Sequence, residues 1–248
     1  MSSNTLYLVD THCHLHDREF FSEEQAREML SRAKEKRVEK IICIGTNHRD
    51  SMAAAKFAAN HDDVYWTYGI HPEFASTAKI DSVIFSNTPV AIGEVGLDYH
   101  YEGYDRKAQI RLFEKMLQLA VNNNLPVSFH IREAFNDFFP VVNNFPKLRG
   151  VVHSFTDNKK VLKRILNETD FFIGVNGLAT YSTLPLPPLE RILLETDAPF
   201  LTPKPFRGII NEPAYVLTVA EWLSTKLELD LKTIEEKTTR NATRLFHI

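Results

Sequence analysis

Hydrophobic positions along the chain gather into short runs separated by longer stretches of mixed polarity. Eight runs rich in β-branched or aromatic residues stand out: LYLVD (6–10), KIICIGT (40–46), VYWTYGI (64–70), VAIGEVG (90–96), PVSFHI (126–131), GVVHSF (150–155), FFIGVNG (171–177) and RILLETD (191–197). Their length and composition predict strands. Between them the period changes to three and four. Ile110, Phe113, Leu117 and Ala120 share a stripe within 104–122, as do Ala26, Met29, Leu30 and Ala33 within 23–37, so both stretches predict helices. Strands alternating with helices imply a parallel sheet with crossover helices, and eight such units close a (β/α)₈ TIM barrel of the α/β class. An open doubly wound sheet is the competing arrangement.

One unit departs from the pattern. LATYSTLPLPPLE (178–190) carries three prolines and no helical period, which predicts a shortened, extended crossover before the last strand. After that strand, 211–228 and 230–246 read as two closing helices, with Asn211 and Asp230 as N-caps. No linker or repeat interrupts the chain, and its 248 residues fit a single domain spanning 1–248.

Chemistry enters at the strand ends. In a barrel, catalytic side chains project from the C-terminal ends of the strands. The predicted strands end in His12 and His14, His71, Glu94, His130, His153 and Asp197, so five of the ten histidines stand at these ends. A lone strand-end histidine is more often structural than a ligand, but an accidental origin would not place imidazoles and carboxylates together at one rim. The first pair shows the geometry. In VDTHCHLH (9–16) an H-x-H spacing on a strand aims two imidazoles at one spot, with Cys13 facing the opposite way. Four imidazoles with Glu94 and Asp197 exceed the needs of one tetrahedral ion. They suit two divalent cations about 3.5 to 4 Å apart, with the mixed N/O set pointing to Zn, Mn or Mg.

Composition narrows the rest. Lys+Arg 29 against Asp+Glu 32 gives a net charge of −3, which excludes a global basic field for gripping long duplex DNA. The two cysteines, Cys13 and Cys43, fall in predicted strands without C-x-x-C spacing and predict no disulfide framework. With no leader-like N-terminus and no long apolar run, the chain reads as cytoplasmic, with no membrane partner and with a monomer as the default state.

The motifs DTHCHL (10–15), GIHP (69–72), GEVGLDY (93–99), LPVSFHIREA (125–134), VVHSF (151–155), LLETDAPFL (193–201), and RG (207–208) before NEP (211–213) occur in an order and spacing that resembles the TatD family of metal-dependent deoxyribonucleases, within the amidohydrolase-like superfamily. The resemblance implies that His12, His14 and Asp197 hold one metal, His130 and His153 the other, and that Glu94 bridges them. It implies hydrolysis of DNA phosphodiester bonds, exonucleolytic from an end, by attack of metal-bridging hydroxide. Asp197 is the expected proton acceptor and Glu94 its catalytic companion. Amide, lactone or phosphotriester hydrolysis is the alternative on such a barrel, and a non-catalytic metal or nucleic-acid binding module is a third reading.

Around this centre, Glu195 is expected to orient a ligand from one layer deeper. His71, Arg132 and Arg207 are the substrate-contact candidates, with Lys204 as a further cation. Short or single-stranded DNA ends fit a few local cations better than duplex does. Tyr99 and Phe155 could stack a base or simply pack, the run at 158–164 reads as a solvated helix face, and Asp98 and His16 read as solvated loop residues. Three positions depart from the family pattern: Phe206 stands where a histidine is common, Ser154 where a cysteine is common, and the 178–188 segment is short.

Overall fold

All eight predicted runs form strands. The computed structural model describes residues 6–78, 85 and 87–248. It contains β1 (Leu8–Cys13), β2 (Val38–Cys43), β3 (Val64–Tyr68), β4 (Ala91–Asp98), β5 (Val127–Arg132), β6 (Gly150–Val152), β7 (Phe172–Val175) and β8 (Ile192–Leu194). They lie parallel in the order β1 to β8. The α-helices α1 (Glu23–Glu35), α2 (His48–Ala58), α3 (Arg106–Asn123), α4 (Phe135–Val142) and α5 (Lys159–Glu168) fill crossovers, and α6 (Val216–Leu227) and α7 (Leu231–Phe246) close the chain. The β3–β4 connection makes a 3₁₀ turn at Pro72–Phe74 before residues 79–84 and 86, which lie outside the described residues.

The β7–β8 crossover has no α-helix. Only 3₁₀ turns at Gly177–Thr180 and Leu189–Arg191 interrupt an extended path, as its prolines dictate. The helical stripes also hold: Ala26, Met29 and Ala33 are buried on α1, and Phe113, Leu117 and Ala120 on α3. The 158–164 run lies largely on the solvated face of α5, with Arg164 over the Phe139 ring at 3.8 Å.

Asp230 caps α7, its side chain accepting from the Thr233 N–H. Asn211 does not cap α6. Pro213 begins a 3₁₀ turn ahead of that helix, and the buried Asn211 amide donates instead to the carbonyls of Thr196 (2.8 Å) and Phe200 (2.5 Å). That residue braces the chain leaving β8.

Closure occurs between β1 and the segment after β8. Asp197 N–H donates to the His12 carbonyl (2.8 Å) and His14 N–H to the Ala198 carbonyl (2.8 Å). The buried Asp10 carboxylate adds contacts from Thr196 N–H (2.9 Å) and Thr196 Oγ1 (2.6 Å). A buried polar group is tolerable only when its hydrogen bonds are made, and here those bonds hold the two chain segments side by side. Val9, Ile42, Ala91, Val151, Phe172 and Leu193, from six strands, form one cluster with Ala242, Leu245 and Phe246 of α7. Residues of non-adjacent strands meet only inside a barrel, so α7 covers its floor and the opposite rim stays open for chemistry.

Candidate metal centre

The seam between β1 and β8 sets His12 and His14 beside Asp197. His12 Nε2 lies 3.4 Å and His14 Nε2 3.5 Å from Asp197 Oδ1. Glu94, on β4, reaches the same point from across the barrel: its Oε2 is 3.5 Å from His12 Nε2 and 4.0 Å from His14 Nε2. Its other oxygen faces a different pair. Oε1 lies 2.7 Å from His130 Nδ1 and 3.7 Å from His153 Nε2. The strands thus bring together all six predicted ligands, with Glu94 between two imidazole pairs.

Second contacts aim the rings. His14 Nδ1 lies 3.1 Å from the Ile44 carbonyl, which fixes Nδ1 as the protonated nitrogen and frees Nε2. His153 Nδ1 lies 3.0 Å from Glu195 Oε1, and the same oxygen accepts the Ser154 N–H at 2.8 Å, so Glu195 occupies the orienting position expected of it. Asp98 does the same for His130, with Oδ2 3.0 Å from Nε2. It is buried, not solvated, because β4 runs on through it and Gln109 binds its backbone N–H and carbonyl. The i+4 spacing from Glu94 along one strand face was the signal for it. His16 is also buried, its Nε2 2.9 Å from Asp50 Oδ1, where an ion pair replaces the solvation expected of a loop residue.

Charge in the cluster is tightly linked. Burial pushes the Glu94 carboxyl up, but the His12, His130 and His153 imidazoles outweigh it and hold Glu94 well below its ordinary range. Burial likewise opposes ionisation of Asp197, and the nearby His153, His14 and His12 lower it. Burial and the neighbouring His153 lower His12. His153 is raised to about 10, with burial outweighed by Glu195 and Asp197. Two ionised carboxylates and four imidazoles are a donor set for divalent cations once His153 gives up its proton, so cation binding and proton release are linked.

The residues fit such ions on independent grounds. His12 is 1% exposed, yet neither ring nitrogen has a hydrogen-bond partner among the described residues, and its ring stacks on His153 at 3.5 Å. Unpaired buried nitrogens facing carboxylates are the donor arrangement of a metal site, since a buried polar atom otherwise finds a hydrogen-bond partner. Donor atoms of His12, His14 and Glu94 lie within 4.8 Å of one another, as do those of Glu94, His130 and His153. Asp197 itself sits at φ 60°, a left-handed conformation that costs a non-glycine residue energy and is tolerated where the surroundings fix it.

The substrate candidates divide between two walls. His71 caps the Pro72–Phe74 turn by accepting the Glu73 N–H, and its ring meets His130 at 4.4 Å, so one side chain both caps the turn and borders the metal candidates. Beside it a cavity of about 330 Å³ is lined by Glu73, Asp98, Tyr101 and Tyr104. Arg132 lies over the Tyr101 ring at 5.3 Å. On the other wall, Lys204 and Arg207 lie 5.1 and 5.6 Å from the centre of the Tyr181 ring. Phe155 is buried against Phe135, and Tyr99 stacks on Tyr104 with its hydroxyl on Asp137, so both pack. Phe206 stacks on Tyr215 at 4.3 Å.

A (β/α)₈ barrel with this cluster at its C-terminal rim has the architecture of a metal-dependent hydrolase. Residues 9–247 match the family described as TatD related DNase, and the chain belongs to that family. It is 34% identical over 256 residues to the uncharacterized metal-dependent hydrolase YabD of Bacillus subtilis, covering 97% of this chain and 99% of that one. It is 34% identical over 241 residues to the 3'-5' ssDNA/RNA exonuclease TatD of Erwinia tasmaniensis, covering 89% and 93%. Among solved structures, YJJV, a TatD homologue from Escherichia coli, superposes with a TM-score of 0.84 at 26% identity, covering 97% and 98%. The chain is thus a TatD-family metal-dependent hydrolase. No helix among the described residues is long and apolar enough to cross a membrane.

Proposed function

We propose that this hydrolase is a two-metal deoxyribonuclease that shortens DNA from an end, acting as a cytoplasmic monomer through a single domain spanning 1–248. One observation carries the two-metal reading: the two oxygens of Glu94 face different imidazole pairs, His12 with His14 and His130 with His153. His12, His14 and Asp197 would hold one ion, His130 and His153 the second, and Glu94 would bridge; Zn, Mn and Mg all suit the donors. Bound ions would neutralise charge on the scissile phosphate and make a shared water acidic enough to give up its proton near neutral pH.

The chain's own groups do the rest. Asp197, ionised and held within 3.9 Å of three imidazoles, is placed to accept a proton from the attacking water and return one to the leaving oxygen. Glu195 and Asp98 keep His153 and His130 aimed. His71, Arg132 and Arg207 contact substrate from the rim, where guanidinium groups suit phosphate. Relatives named as 3'-5' ssDNA/RNA exonucleases support this substrate class.

The test is a substrate panel. Metal-reconstituted protein is given end-labelled single-stranded and duplex DNA beside amide, lactone and phosphotriester substrates, with Asp197→Asn in parallel. Progressive shortening of DNA, faster on single strands and lost in Asp197→Asn, is the expected result. Intact DNA with turnover of a lactone, amide or phosphotriester refutes the nuclease reading, as does DNA cleavage indifferent to Asp197→Asn.

A further inference from the structure

The loop after β8 carries aromatic and cationic side chains that the metal centre does not use. Phe200, three residues beyond Asp197, is 46% exposed; its ring lies 6.4 Å from His14 and meets Phe20, itself 45% exposed, edge-on at 5.2 Å. Farther along the same loop, Lys204 and Arg207 rest over Tyr181, whose hydroxyl donates to the Thr202 carbonyl at 3.0 Å. An aromatic ring, and no carboxylate among the described residues, holds each of these cations.

The loop is braced in this arrangement. Asn211 bonds the Phe200 carbonyl, and Thr202 Oγ1 donates to the Ile209 carbonyl at 2.7 Å. Gly177 approaches so closely that an added Cβ would stand 1.9 Å from the Leu201 carbonyl oxygen. Exposed rings held rigidly lose little entropy on binding. The opposite wall is mixed in sign: Glu73, Asp98, Glu102 and Asp105 line the cavity beside His71, and Arg132 over Tyr101 is the guanidinium there. A polyanion leaving the centre meets Lys204 and Arg207 together on the β8 side, against four carboxylates and Arg132 on the other.

We infer that this loop is the strand-binding track of the site. Phe200, backed by Phe20, stacks the base adjoining the scissile phosphodiester, and Lys204 and Arg207, set over Tyr181, grip the next phosphate. The inference rests on the nuclease reading above and adds the residues that choose the substrate form. A base inside a duplex has both faces covered by its neighbours, so only an unpaired end can lay a base on Phe200. Because every base has a π-face, the track tolerates sequence.

The experiment measures kcat/KM of metal-reconstituted wild type, Phe200→Ala and Phe200→Tyr on two single strands, one complete and one with a base-free spacer beside the scissile bond. The ratio of the two values isolates the stacking. It should fall about fivefold or more in Phe200→Ala, with the loss in KM, and be restored in Phe200→Tyr. Replacing both Lys204 and Arg207 by Ala should flatten the salt dependence of KM by roughly one released ion per lost phosphate contact. An unchanged ratio in Phe200→Ala, including a variant that slows both strands alike, overturns the inference while leaving the nuclease reading standing. A wild type that cuts neither strand removes that reading, and the track with it.

Discussion

Glu195 Oε1 lies 3.0 Å from His153 Nδ1, so this imidazole presents Nε2 toward Glu94 and Asp197. The carboxylate is fully buried and reaches the ring past Gly174, where any Cβ would stand 2.3 Å from Glu195 Oε2. Orienting carboxylates of this kind raise ligand basicity and fix the tautomer. Glu195→Gln should therefore weaken cation binding about 10- to 100-fold while the protein stays folded. Calorimetric titration with Mn or Zn measures it, and wild-type affinity in the variant would count against an orienting role.

Cation binding should also stabilise the fold, because the unfolded chain does not assemble His12, His14, Glu94, His130, His153 and Asp197. At cation concentrations a hundredfold above Kd the gain is about 2.7 kcal/mol, visible as a rise in Tm that a chelator reverses. His12→Ala should shrink that rise, since His12 has no other hydrogen-bond partner among the described residues to satisfy. An equal rise in wild type and variant would remove His12 from the ligand set.

The Arg106–Asp137 pair predicts a pH dependence away from the metal centre. Arg106 binds Asp137 through Nε (2.6 Å) and Nη2 (2.5 Å), and Tyr99 Oη donates to the same carboxylate at 2.8 Å. Arg106 chiefly, with Tyr99, lowers Asp137 below its ordinary value of 3.8. The folded state thus favours the ionised form. The stabilisation is present above pH 3.8 and is lost as pH falls through the lower folded value. Tm profiles of wild type and Asp137→Asn should run apart above that pH and converge below it; parallel profiles down to acid would contradict the pairing.

Gly177→Ala should destabilise the protein by about 1–3 kcal/mol, because the new methyl group meets backbone and no flexible side chain can yield. The displaced Leu201 lies in the loop that begins at Asp197, so turnover should fall with stability. Urea unfolding gives the first quantity and DNA cleavage the second. A variant as stable as wild type would mean the loop yields freely.

The strands were legible because β-branched runs of the right length recur at regular intervals. Their ends were less so. GVVHSF and RILLETD read as strands through 155 and 197, but β6 stops at Val152 and β8 at Leu194. The chain leaves strand geometry there because Ser154 (φ 47°) and Asp197 (φ 60°) turn left-handed as the functional side chains begin. Residue type and strand position gathered seven strand-end candidates, the six ligands with His71, and the family resemblance helped set His71 apart. Asp98, His16 and Asn211 were misread for a shared reason. A polar residue near a loop defaults to solvent or to a helix cap, and only tertiary partners redirect it inward: His130 for Asp98 and Asp50 for His16, both read as solvated, and the Thr196 and Phe200 carbonyls for Asn211, read as an N-cap. Phe206 stacks on Tyr215, a packing role that the sequence did not reveal.

The central claim is that two cations across Glu94 cleave DNA. Metal-free protein titrated with Mn, with bound metal and the rate of single-strand cleavage read at each addition, tests it directly. The account predicts two ions bound per chain, cleavage emerging as the second site fills, and no cleavage in Asp197→Asn at any metal level. Full cleavage with a single ion bound, or two ions bound with DNA left intact, would contradict it.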